Sequence, residues 1–256
     1  VDDDEELEHD RLAHILMAQP TVQVRKELLQ QLLEIRPRHP KLRAAWARFL
    51  VAQGDFGAAV ETLAELVSGH PDDSQLVLWL ADATKAKSGA AAAQDLLRAW
   101  LVKRPDNLAV RFALAQLSID AGDDHTAIVE YRRILDQDSD NVVALNNLAM
   151  LLAQENPDEA LEHVERALAQ YPDEAAFLDT KGSVLMAKDD FREASNVLGK
   201  AHAASPNPTI AFHYAKATAL AGDTTTARRL LLELQTLSFP ERAEAEELLR
   251  QLDATD

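Results

Sequence analysis

Three acidic residues at alternate positions, Asp136, Asp138 and Asp140, come nearest in this chain to a recognised chemistry. Carboxylates at the first, third and fifth places of a loop open an oxygen cage for calcium, which needs a glycine at the sixth place and a glutamate at the twelfth. Here those places hold Asn141 and Asn147, so the sharp turn and the bidentate closing ligand are both missing. The run reads instead as helix-capping and turn residues at a join between two helices. His9 and His14 flank Asp10, but a five-residue step does not bring two imidazoles to one helical face as a four-residue step would. His70, His125 and His163 stand far apart in sequence, Ser68-Gly69-His70 and Ser88-Gly89 are turn sequences, and no glycine-rich phosphate loop occurs. With no cysteine there is no thiol nucleophile and no thiolate metal site. No catalytic activity, cofactor or metal is expected of this segment.

Charge and composition narrow the partners. The formal net charge of −17, from 43 acidic and 26 basic residues, argues against nucleic acid, whose phosphates are bound by lysine and arginine. The acidity reads as a solvated face that keeps an apolar chain in solution, or as an attraction for a basic peptide. Of the 256 residues 47% are hydrophobic, yet no run of eighteen is apolar, so no membrane-spanning segment is expected. Val1 is followed by Asp2, Asp3, Asp4, Glu5 and Glu6, a polar lead-in over 1–5 rather than a signal peptide. The chain reads as a piece of a longer protein or a mature form. Its lack of cysteine suits periplasm and cytoplasm alike.

The elements that position these side chains are set by a repeat. A small residue returns as Ala13, Ala47, Ala81, Ala115, Ala149, Gly182 and Ala215, spaced 34, 34, 34, 34, 33 and 33. A second ladder follows in each stretch: Ala59, Ala93, Ala127, Ala160, Ala194 and Ala227. Between them stand Gly54, Gly89, Gly122 and Gly222, suited to positive φ at helix ends. Pro37, Pro71, Pro105, Pro172, Pro206 and Pro240 mark the joins, with Ser139 in the missing slot. A period near 34 residues is one helix–turn–helix unit, which buries its apolar face only by stacking on copies of itself.

The run Trp46, Ala47, Leu50, Gly54, Phe56, Ala59, Leu63, Leu66 and Pro71, with Gly182, Leu185, Phe191, Ala194, Leu198, Ala201 and Pro206 farther on, resembles the tetratricopeptide repeat family over nearly the whole chain. The resemblance implies an all-α, right-handed superhelical solenoid of about seven repeats. An atypical first repeat spans 6–39, with Arg25 in a small-residue position and Pro20 near the turn. Six repeats fill 40–239, and a capping helix and tail fill 240–256. The family receives peptides on a concave face lined by first helices. Carried over, that face holds Ala44, Leu78, Phe112, Asn146, Asp179 and Phe212 in one row. Arg48, Asp82, Gln116, Met150, Ser183 and Lys216 form a second, and Lys85, Ile119 and Met186 belong to a third. Phe112, Ile119, Met150, Leu78 and Met186 would take apolar side chains, and Asn146 and Asn147 would bond a partner's backbone.

The repeats that hold the carboxylate tail of heat-shock chaperones carry a basic set around such asparagines, whereas Asp179, Lys181 and Lys188 here occupy other positions, so that role is not expected. The phrases Asn146 to Ala153, Pro157 to Leu161, Phe177 to Gly182 and Phe239 to Ala245 resemble bacterial repeat proteins of exopolysaccharide export and exosortase sorting, the PrsT type. That resemblance implies a scaffold protein in a bacterial envelope assembly for polysaccharide export, protein sorting or cytochrome maturation. It would work in periplasm or cytoplasm, with any membrane attachment made by a segment outside this one. A self-associating regulatory module and the recognition arm of an enzyme with its catalytic domain elsewhere are the alternatives. The two 33-residue steps each remove one residue, near Asn156 and near Pro208, and mark the place to look for a dedicated surface.

Overall fold

The computed structural model describes residues 21–254, and among them every regular element is an α-helix. After α1 (Val22–Ile35) come α2 (Pro40–Ala52) and α3 (Phe56–Gly69), α4 (Ser74–Ser88) and α5 (Ala90–Lys103), then α6 (Leu108–Asp120) and α7 (Asp124–Gln137). They are followed by α8 (Val142–Leu152) and α9 (Pro157–Gln170), α10 (Ala175–Ala187) and α11 (Phe191–Ala204), α12 (Pro208–Leu220) and α13 (Thr224–Leu234), and finally α14 (Arg242–Ala254). Two compact units divide between Ala127 and Ile128. The expectations for the lead-in, His9, Asp10, Ala13, His14 and Pro20 lie outside the described residues.

Helix starts explain much of the Asp and Asn content. Asp55, Asp73, Asn107, Asn141, Asn156, Asp190, Asn207 and Asp223 each accept a backbone N–H of the first turn, a contribution of about 1 kcal/mol per cap. The Asp136–Asn141 run belongs to this class. Asn141 Oδ1 accepts from the Ala144 amide at 3.1 Å and its Nδ2 donates to Asp138 at 2.8 Å, while Asp140 faces Arg166 at 3.5 Å.

The turns inside the pairs need positive φ, supplied by Gly54 at 80°, Gly122 at 73° and Gly222 at 95°. Between α10 and α11 the same place is held by Asp189 at 59°, although the left-handed region disfavours any side chain. The first 33-residue step lies in the α8–α9 hairpin. There α8 has 11 residues against the 13 of α2, and the turn begins at Ala153 with φ −52°. The second lies in the join from Ser205 to Asn207, three residues where His70 to Asp73 provides four.

Packing follows the two ladders. Ala59, Ala93, Ala127, Ala160, Ala194 and Ala227 are all 0% exposed, so a methyl is the most these helix crossings admit. One turn later each second helix sends in a large side chain, Leu63, Leu97, Tyr131, Val164, Leu198 or Leu231, also buried, each such burial being worth about 1.5–3 kcal/mol. In the first unit these side chains gather with Ala47, Leu66, Leu76 and Leu80, and with Val77, Trp100, Val110 and Leu114. In the second, Leu178, Leu185, Val197 and Ile210 form one cluster. Ala245 and Leu249 of α14 close another over Phe212, Leu230 and Leu234.

Gly182 is the tightest crossing, because a Cβ there would lie 2.3 Å from Leu198 Cγ. Gly182→Ala is expected to lower stability by about 1–3 kcal/mol through overpacking, despite alanine's better helix propensity, read as a lower urea midpoint at unchanged m. Asp189→Gly is expected to raise stability by roughly 0.5 kcal/mol by relieving the left-handed conformation; a thermal melt no higher than that of the parent chain would contradict this.

Candidate functional site

Consecutive first helices touch within each unit, and side chains from the expected groove positions bridge them. In the first unit the Arg48 guanidinium of α2 lies over the Trp79 ring of α4, 5.1 Å from its centroid. From α4, Lys85 Nζ reaches Asp120 Oδ2 of α6 at 2.6 Å, and Gln116 Nε2 donates to the other oxygen of Asp120 at 3.2 Å. The bonds from Lys85 and Gln116 hold the Asp120 carboxyl below its usual range. Burial of the Asp82 carboxyl raises its pKa, with Lys85 opposing. Leu78, Phe112 and Ile119 are half-buried beside these exposed polar groups, and Ala44 is buried.

At the start of this face the N-terminal halves of α2 and α4 enclose an open cleft of about 580 Å³, whose lining includes Lys41, Arg48, His70, Leu76 and Trp79. Of the whole lining, Ala44 and Arg48 stood in the expected rows. Lys41 and His70 sit near the starts of the two helices, positions that a register counted from the helix centre passes over, and Trp79 lies one residue off the row holding Leu78.

In the second unit the expected residues separate into two groups. Met150 is 49% exposed, and Asn146, Ser183 and Met186 are half-buried, Asn146 with its Oδ1 enclosed and without a hydrogen-bond partner. Asn147 departs from expectation: its Nδ2 donates to the Tyr131 hydroxyl at 2.9 Å, completing a side chain that is 1% exposed. Burial raises the Tyr131 pKa, so the phenol stays neutral and accepts this bond. Phe212 also departs, being 2% exposed. Its ring packs 6.3 Å from that of Phe239 and against α14, so the last helix turns a groove position into a core position.

Asp179 pairs across repeats. Its Oδ1 lies 2.8 Å from His213 Nδ1, with the two side chains only 20% and 23% exposed. Burial alone would lower the imidazole pKa, and Lys216 acts in the same direction. The bond and charge of Asp179, with the charge of Glu241, outweigh both and raise it above 6.5. A raised folded-state pKa means that this pair stabilises fully below the unfolded value and that its contribution is lost as pH rises through the folded value. Asp179→Asn should therefore destabilise the protein more at pH 6 than at pH 8.5. Equal losses in urea titrations at the two pH values would show that the imidazole is not the charged partner.

Among the described residues no helix is long and apolar enough to cross a membrane. The model of the tetratricopeptide repeat family matches residues 26–83 and 151–219. A tetratricopeptide repeat protein from Parabacteroides merdae superimposes with TM-score 0.68 at 15% identity, over 96% of this chain and 97% of the other. PilW, a type IV pilus biogenesis factor, aligns with TM-score 0.63 at 15% identity over 77% and 93%. YrrB, described as having an unusual peptide-binding site, aligns with TM-score 0.57 at 18% identity over 73% and 97%. No curated protein matches the chain. The family model thus finds the repeat in a part of each unit, and the fold is the helical-repeat fold of these structures.

Proposed function

We propose that the chain is a non-catalytic scaffold whose first-helix faces bind a peptide or helix of a partner protein. The observation that carries this is the set of bridges between consecutive first helices, Arg48 to Trp79, Lys85 to Asp120 and Asp179 to His213. They join α2, α4 and α6 in the first unit and α10 and α12 in the second, with Leu78, Phe112 and Ile119 half-buried on the former, Met186 half-buried on α10 and Met150 exposed on α8. Apolar side chains left partly open among ordered polar groups are what an interface core and its rim require. The peptide-binding site named for YrrB supports the same reading. The fold is typically an interaction scaffold. The place we propose for it is a bacterial envelope assembly serving polysaccharide export, protein sorting or cytochrome maturation, on the phrases from Asn146 to Ala153 and Phe239 to Ala245.

The test is recovery of partners on the immobilised chain and on Phe112→Glu and Met150→Glu variants. Each charge placed in a desolvated contact should reduce recovery about tenfold or more, with circular dichroism unchanged. Met150 is the cleaner probe because its side chain supports little of the core. Undiminished recovery with both folded variants would remove the first-helix faces as the binding surface.

A further inference from the structure

Among the described residues, the cleft between α2 and α4 is lined by cations that hold no carboxylate. In the first unit Arg43 pairs with Glu65, Lys85 with Asp120, Arg98 with Asp123 and Arg104 with Asp72. Lys41 and Arg48, which line the cleft between α2 and α4, pair with no acidic residue among those described. The Arg48 guanidinium carbon lies over the Trp79 ring, and no carboxylate of the described residues takes up its N–H donors. A ring contact of this kind restrains the arginine, so that bonds from its guanidinium to a carboxylate cost little further side-chain freedom.

The nearby acidic groups do not neutralise these cations. Asp73 spends its Oδ1 on the Gln75 and Leu76 amides that open α4. The cation acting on Asp82, one turn beyond Trp79, is Lys85. Trp79 and buried Leu76 supply an apolar floor beneath the charges. A cleft lined by two uncommitted cations, one of them over an indole, is complementary to a carboxylate next to an apolar side chain and repels lysine and arginine. The net charge of −17 does not reverse this at close range, because distant carboxylates are screened within about 10 Å at 0.1 M salt.

We infer that this cleft accepts an acidic segment of the partner, its carboxylates on Arg48 and Lys41 and an adjoining apolar side chain on Trp79. The inference rests on the scaffold reading and adds the chemistry of what is bound.

A phage-displayed library of random dodecapeptides, selected on the immobilised chain, tests it. Recovered peptides should be enriched in Asp and Glu beside an aromatic residue or leucine. Their recovery should fall about tenfold or more on a Lys41→Glu/Arg48→Glu chain, and remain unchanged on an Arg192→Glu/Lys200→Glu chain, which reverses two cations of the second unit. Circular dichroism checks that both variants fold. Peptides without acidic enrichment, or peptides held equally by the Lys41→Glu/Arg48→Glu chain, overturn the inference. If such peptides are instead lost on Met150→Glu, the scaffold reading stands while the acidic subsite falls. Recovery of no peptide above background overturns both.

Discussion

The structure depends on how closely two helices can approach at an alanine. A helix pair of this length has an apolar stripe on each member and too little partner surface to cover both. The residues at which the helices cross are fully enclosed, Ala59 and Ala194 among them, and their size sets the distance at which everything else must fit. Leu63 and Leu198, one turn on, then reach across the space that this distance leaves. At Gly182 the approach is closer still, and Leu198 occupies the volume where a methyl would be. Small residues therefore do more than tolerate contact: they decide which large side chains the next helix can carry.

Turns and joins absorb what the crossings do not fix. Positive φ at Gly54, Gly122, Gly222 and Asp189 ends the first helices in one way. The hairpin from Leu152 to Pro157 ends its helix early and reverses without such a residue. Asx caps stop and start the chain at nearly every join, which is why Asp and Asn cluster where a metal loop could be imagined. The Asp138–Asn141 pair shows the competition directly, since the amide that holds Asp138 belongs to the residue that caps α8.

Repetition is what made the fold legible. A signal seen once in an alanine-rich chain says little, but one seen at the same register six times fixes helix length, turn position and the inward face. It placed the shortened steps correctly, because a one-residue change in spacing must fall in a turn or a join. The candidate face was legible only as rows. Whether a row position is open depends on what another helix brings to it, and that partner lies outside the repeat register. Asn147 is drawn inward because the position one turn after the second ladder, which elsewhere holds leucine or valine, here holds Tyr131, whose hydroxyl needs a bond. Phe212 is covered because α14, which has no counterpart in the repeat, lies against it. The cleft beside Trp79 was legible only through Ala44 and Arg48, because Lys41 and His70 come from helix starts, where the register no longer says which way a side chain points.

These observations separate what the fold demands from what a partner can select. The crossings sit on second helices and on the inner side of the first, and the caps and turns at the helix ends. Exposed positions such as Arg48, Gln116 and Met150 carry little of the packing, and substitution there leaves the crossings intact. A chain under such constraints keeps its fold while its surface varies, so likeness to PilW or YrrB at 15% or 18% identity speaks for the crossings alone. Specificity has to be read from local departures in the surface chemistry. On a chain many of whose cations are committed to its own carboxylates, the informative departure is two cations left without one in the same cleft as an indole.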